Sequence, residues 1–128
     1  ILHAAHINLL EKAKQEGDIL VVLLNSDLSI KKTKGEKRPI VSELERAKML
    51  AALSAVDYVV IFNEDKPINY LDRIKPHIHV KGGSVIGERM NEEKELISKW
   101  NGVYKQFPLE EAFSTTNIIQ KIIEAYKD

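Results

Sequence analysis

The chain has 128 residues, with 19 basic and 19 acidic side chains, no cysteine and one tryptophan. That length can bury a core without staples and is expected to form one domain over residues 1–128, while the lack of cysteine excludes a disulfide framework, a zinc ribbon and a thiol nucleophile. A formal net charge of +0 argues against a nucleic-acid-coating protein, no apolar run approaches the roughly 20 residues that span a bilayer, and the start does not read as a signal peptide, so a soluble cytoplasmic protein with no nucleic-acid or membrane partner is expected.

Hydrophobic periodicity then alternates between two patterns along the chain. Ile7, Leu9, Leu10 and Ala13 form one stripe of a helix over residues 5–16, which Gly17 ends. Residues 19–24 are continuously apolar, as in a parallel strand covered on both faces. Ser42 and Glu45 have capping-box spacing, and the helix they open carries Leu44, Ala47, Met49, Leu50 and Leu53. Residues 58–62 read as a second buried strand, 67–74 as a short helix with Pro67 in its first turn, and 78–80 as a brief strand. A charge-rich helix over 88–100 breaks at Asn101 and Gly102, and a strand covers 103–107. Ser114, Thr115, Thr116 and Asn117 precede a closing amphipathic helix through Ile118, Ile119, Ile122, Ile123 and Tyr126.

Strands alternating with helices predict an α/β fold, Rossmann-like and doubly wound, with helices on both faces of a mainly parallel sheet. Such a domain ordinarily opens on a strand, whereas this chain opens on a helix. A first strand ahead of Ile1 is therefore expected, for five in all.

Open α/β sheets bind ligands at the carboxyl ends of their strands, beside helix N-termini whose unpaired N–H groups favour anions. Four places in the sequence fall there. His3 and His6 open the first helix, where two imidazoles three residues apart can face one phosphate; no acidic third ligand lies nearby to complete a metal site. Residues 31–38 carry Lys31, Lys32, Lys34, Lys37 and Arg38 against Glu36, a local charge of +4. Such a run is an ordinary solvated loop or, at a ligand-binding edge, a loop that closes over a triphosphate. Lys81, Gly82 and Gly83 follow a strand, and paired glycines permit close backbone approach. Ser114, Thr115 and Thr116 exceed what one N-cap needs and suit a phosphate cradle. His77 and His79 share one face of a short strand and read as packing or edge residues.

Taken together, the opening Ile1 to His6, Asn25-Ser26-Asp27 with the basic residues after it, Arg38-Pro39-Ile40, Glu45-Arg46, the 56–60 strand, Val80-Lys81-Gly82-Gly83 and the 113–119 stretch resemble the cytidylyltransferase-like nucleotidyltransferases. The resemblance covers nearly the whole chain. Within the family it leans toward the adenylyltransferases that activate heptose 1-phosphate for ADP-heptose synthesis. Glycerol-3-phosphate cytidylyltransferase and FAD synthase are more distant in pattern.

The resemblance implies AMP transfer from ATP to a sugar 1-phosphate with release of pyrophosphate, Mg²⁺ accompanying ATP, and a homodimer. It gives His3, His6 and Lys34 catalytic contacts with the phosphates. Lys32, Lys81, Gly82, Gly83, Ser114, Thr115 and Thr116 would bind the nucleotide, and Arg46 would brace the site. Two positions depart from the family pattern: Ala5 stands where it has Gly, and Ser84 where heptose enzymes commonly have Asp. A methyl group at Ala5 is expected to weaken or tilt nucleotide binding. That leaves a weakened nucleotide-binding module as the alternative from another class.

Overall fold

A computed structural model describes residues 2–83, 88–108 and 115–127. Helix α1 (Ala4–Gln15) leads to strand β1 (Val21–Asn25), followed by helices α2 (Asp27–Lys34) and α3 (Glu43–Ala51) and strand β2 (Tyr58–Phe62). Helix α4 (Ile68–Ile74) crosses to strand β3 (Ile78–Gly82), and α5 (Glu88–Ser98), β4 (Val103–Phe107) and α6 (Thr115–Ala125) complete the order.

All pairing is parallel. β1 runs beside β2 with Val21 opposite Tyr58 and Asn25 opposite Phe62; β3 runs beside β4 with Ile78 opposite Val103 and Gly82 opposite Phe107. The predicted α/β, Rossmann-like class holds. Its five strands are four among the described residues, arranged as two parallel pairs. The fifth was the strand expected ahead of Ile1, outside this sequence. β1, expected to be covered on both faces, is half-buried along its whole length, and β2, expected to be buried, starts at the exposed Tyr58 and is fully buried only at Phe62.

Local chemistry explains the helix ends. Ser42 and Glu45 form the expected capping box, with the Glu45 N–H donating to Ser42 Oγ at 3.3 Å. Asn101, at φ 60°, and Gly102 end the α5 segment, and Trp100 Nε1 donates to the Pro76 carbonyl at 2.8 Å. The best-buried apolar side chains come from several elements: Ala5 of α1, Phe62 of β2, Leu71 of α4 and Ile97 of α5 are each at most 2% exposed. Truncating Leu71 or Ile97 to alanine is expected to cost about 2–5 kcal/mol.

Two ion pairs tie the end of α1 to both strand pairs. Lys14 Nζ lies 2.5 Å from Asp57 Oδ2, just before β2, and Lys105 of β4 lies 2.6 Å from Glu16 Oε2. Asp57 also accepts the Leu20 N–H at 2.7 Å. These contacts hold the helix that presents the two histidines against both halves of the fold.

Candidate active site

His3 caps α1 from extended backbone, and its N–H donates to His6 Nδ1 at 3.4 Å. The rings stack with centroids 3.9 Å apart and planes inclined by 25°. Because Nδ1 of His6 accepts a hydrogen bond, a neutral ring carries its proton on Nε2 and presents a donor there. The first turn of α1 contains no acidic residue, so no carboxylate of that turn answers its dipole.

His6 is half-buried, and its pKa is lowered to about 4 by burial first, then by the positive charges of His3 and Lys34. The same physics lowers His3, with burial the leading cause. The Lys34 charge thus reaches His6 from the end of α2.

The basic run is not a loop throughout. Lys31, Lys32 and Lys34 ride on the last turn of α2, where they complement the helix dipole, and Gly35 ends the helix at φ 91°. Ser26 starts it by accepting the Ser29 N–H at 3.2 Å. Buried Ser29 accepts from Asn25 Nδ2 at 3.0 Å and donates to the Glu64 carbonyl at 3.2 Å, pinning α2 to the ends of β1 and β2. Lys32 is exposed two residues from Lys34.

Arg46 braces the site as expected. Its guanidinium donates to the Asn25 carbonyl and Asp27 Oδ1, each at 2.9 Å, and to the Val41 carbonyl at 3.1 Å. With His6 it borders an apolar cavity of about 240 Å³ among side chains that include Leu9, Leu24 and Leu50. Ala5 is 2% exposed, so its methyl packs inside the protein.

A second cluster lies at the end of β3. Gly82 pairs with Phe107, and Gly83, at φ 82°, donates its N–H to the Phe107 carbonyl at 2.9 Å. That positive φ is one that glycine adopts without strain. Lys81 Nζ lies 3.3 Å from Glu93 Oε1, and His79 Nε2 lies 3.4 Å from Glu93 Oε2. His79 is thus one of a buried group, and Glu93 was not anticipated: in sequence it is one of many charges on an acidic helix.

Thr115 begins α6 and Thr116 is exposed in its first turn. Ser114 and Ser84 lie outside the described residues, so the proposed hydroxyl cradle is seen only in part.

The structure thus stacks His3 and His6 at the start of α1 within reach of the Lys34 charge, and places Lys81 and Gly82 at the end of β3 with Gly83 directly after them. The family model for cytidylyltransferase-like proteins matches residues 1–121. The chain belongs to the cytidylyltransferase-like nucleotidyltransferase family. Among curated relatives, the bifunctional protein HldE of Helicobacter pylori strain J99 is 50% identical over 133 residues, covering 100% of this chain and 27% of that protein. HldE of Syntrophotalea carbinolica is 46% identical over 127 residues, covering 99% of this chain and 26% of that protein. The chain spans about a quarter of the length of these relatives. A crystal structure of a lipopolysaccharide core biosynthesis protein from Thermoplasma volcanium superposes with a TM-score of 0.68 at 29% identity, covering 86% of this chain and 88% of that one. No helix among the described residues is long and apolar enough to cross a membrane.

Proposed function

We propose that this cytidylyltransferase-like domain transfers AMP from ATP to a sugar 1-phosphate, with heptose 1-phosphate the preferred acceptor. The observation that carries the reading is the stacked pair of His3 and His6 at the start of α1, whose first turn holds no acidic residue, with the Lys34 charge at the end of α2 acting on His6. The HldE relatives and the lipopolysaccharide core neighbour support a sugar-phosphate acceptor, and the heptose preference rests on the sequence resemblance.

An oxygen of the acceptor phosphate attacks the α-phosphorus of ATP, a new P–O bond forms, and the bond to the β-phosphate breaks to release pyrophosphate. Positioning and electrostatic stabilisation of the phosphoryl oxygens supply most of the acceleration. His6 donates from Nε2 to a phosphoryl oxygen, His3 supports it from the stacked ring, and Lys34 neutralises developing charge. Lys32 adds to the field along α2. Lys81, Gly82 and Gly83 border the nucleoside side, and Ser114, Thr115 and Thr116 receive the leaving phosphates at the start of α6.

Among the described residues no three acidic or imidazole side chains converge as a metal cage. That fits Mg²⁺ arriving on the triphosphate, since this ion keeps several waters and is commonly held through substrate phosphates. When bound, it supplies charge neutralisation at the phosphates. The reaction is assigned to the cytoplasm, where ATP is available. The expected homodimer would cover apolar surface such as Ile122 and Ile123 on α6 and Tyr126 just after it, and sedimentation equilibrium tests it.

The burial of Ala5 supports an active enzyme over a weakened module, because its methyl need not project toward nucleotide. Pyrophosphate release with ATP or CTP against heptose 1-phosphate, glycerol 3-phosphate and FMN tests the reading. ATP with heptose 1-phosphate should give the highest turnover. Nucleotide binding without pyrophosphate release from any pair would replace the enzyme with the module.

A further inference from the structure

Successive residues of a strand face opposite sides, so His79 and Lys81, two apart in β3, share one face. Helix α5 lays Glu93 across that face. The carboxylate is 0% exposed, and its two oxygens divide between the partners: Oε1 lies 3.3 Å from Lys81 Nζ and Oε2 lies 3.4 Å from His79 Nε2. Both partners are also well covered, the Lys81 side chain at 20% exposure and His79 at 12%. Tyr104 of β4 meets the His79 ring edge-on at 5.6 Å, which limits the ring's movement from the other strand.

We infer that Glu93 is a positioning residue for nucleotide binding: it sets where the Lys81 ammonium stands at the end of β3. A lysine side chain has four rotatable bonds and, left alone, samples many positions. Beside Gly82 and Gly83 the backbone is fixed by the Gly83-to-Phe107 hydrogen bond, so the uncertain part of this strand end is the lysine head. Glu93 removes that uncertainty from a separate element. An ammonium carries three N–H donors, so a lysine can be held by a carboxylate and still meet a phosphate. The charge balance supports the role. Burial alone would raise the Glu93 carboxyl, yet the His79 hydrogen bond and the Lys81 charge outweigh it and hold the group below the ordinary glutamate value. The ion pair is therefore formed at neutral pH. This inference rests on the proposed nucleotide role of Lys81.

The test combines kinetics with a readout that needs no turnover. In Glu93→Leu, the KM for ATP should rise about tenfold with kcat nearly unchanged, because an unpositioned group weakens binding. Glu93→Gln keeps the shape and an acceptor oxygen but loses the charge, and should recover only part of that loss. Adding Lys81→Met to Glu93→Leu should cost nothing beyond Lys81→Met alone, since both changes remove the same contact. Additive effects, or a Glu93→Leu enzyme with the original KM, would overturn the inference.

Lys81 acylation by limiting acetic anhydride, followed by peptide mapping, is read in parallel. Release of the ammonium should speed it severalfold in Glu93→Leu, and an unchanged rate in a folded variant overturns the inference without reference to catalysis. Should Glu93→Leu not fold, Glu93→Gln decides by the same measurement, because loss of the charge loosens the pair. Faster acylation together with a wild-type protein that turns over no substrate pair would leave the positioning standing and defeat the nucleotidyl-transfer reading instead.

Discussion

The two clusters solve the problem of partly buried cations in opposite ways. At the start of α1, burial first and neighbouring positive charge second lower the pKa of the two stacked imidazoles, which are uncharged at neutral pH. At the end of β3, Lys81 sits against a buried carboxylate that matches its charge. On the proposed reading the first arrangement awaits an anion, whereas Lys81 has its counter-charge before any ligand binds. An enzyme that must stabilise transient phosphoryl charge gains most from the first, because the interaction strengthens as charge develops. A residue that only has to be in place gains from the second.

The sharpest way to break the contrast is to remove the donor at the incomplete end. His6→Ala is expected to lower kcat by about 10²–10³-fold, the usual cost of one charge-stabilising donor. Its melting temperature should change little, because His6 contributes repulsion as well as packing. A pyrophosphate-release assay beside a thermal melt checks both. A variant with wild-type kcat would remove the histidines from the mechanism.

A second change makes the incomplete end resemble the neutral one. Lys34→Glu replaces a repelling charge by an attracting one, so the His6 pKa should rise from about 4 toward its ordinary value. The anionic substrate loses at the same time, and the KM for ATP should rise about 10–100-fold, equivalent to about 1.4–2.8 kcal/mol. NMR titration of the His6 ring and steady-state kinetics report the two effects separately. If KM rose while the His6 titration stayed put, Lys34 would act on substrate without being coupled to the histidine.

Arg46 marks how much the incomplete end depends on its frame. Arg46→Ala removes three hydrogen bonds to Asn25, Asp27 and Val41, and is expected to destabilise the fold by about 2 kcal/mol. Arg46→Lys should recover only part, because an ammonium cannot reproduce the guanidinium fork. Urea unfolding measures both variants.

Much of this organisation is legible in the sequence. The strand–helix alternation, the Ser42 capping box and the 103–107 strand follow from periodicity and local chemistry. What was not legible depends on long-range placement. The basic run reads as a loop because its charge hides the helix that Ser26 and Gly35 bound at either end. Glu93 could not be singled out among Glu88, Glu92 and Glu95, since only packing of α5 on β3 shows which carboxylate is buried. His79 was discounted for the same reason: a histidine on a strand face acquires a role only from the helix above it. Ala5 departs from the family pattern by a single methyl group, and only the structure shows that this methyl is buried.

Acid sharpens the comparison with the smallest effect, because the two clusters lose their contributions in different pH windows. The folded chain holds His6 at about 4, whereas the unfolded chain titrates it near the ordinary histidine value of 6.5. Between those values the unfolded state binds the proton and the folded state does not, so stability falls as pH drops from 6.5 toward 4. Solvent at this half-buried ring screens the effect and makes it modest. Glu93 behaves differently. Its folded carboxyl lies below the ordinary glutamate value of 4.5, so its contribution is complete above that pH and disappears only as acid passes through the folded value. Urea midpoints measured across pH 3–7 should therefore show two limbs. His6→Gln should flatten the limb above pH 4, and Glu93→Gln only the one below pH 4.5. If Glu93→Gln flattened the upper limb instead, Glu93 would be coupled to a titrating imidazole there, and the neutral cluster would not be closed before ligand arrives.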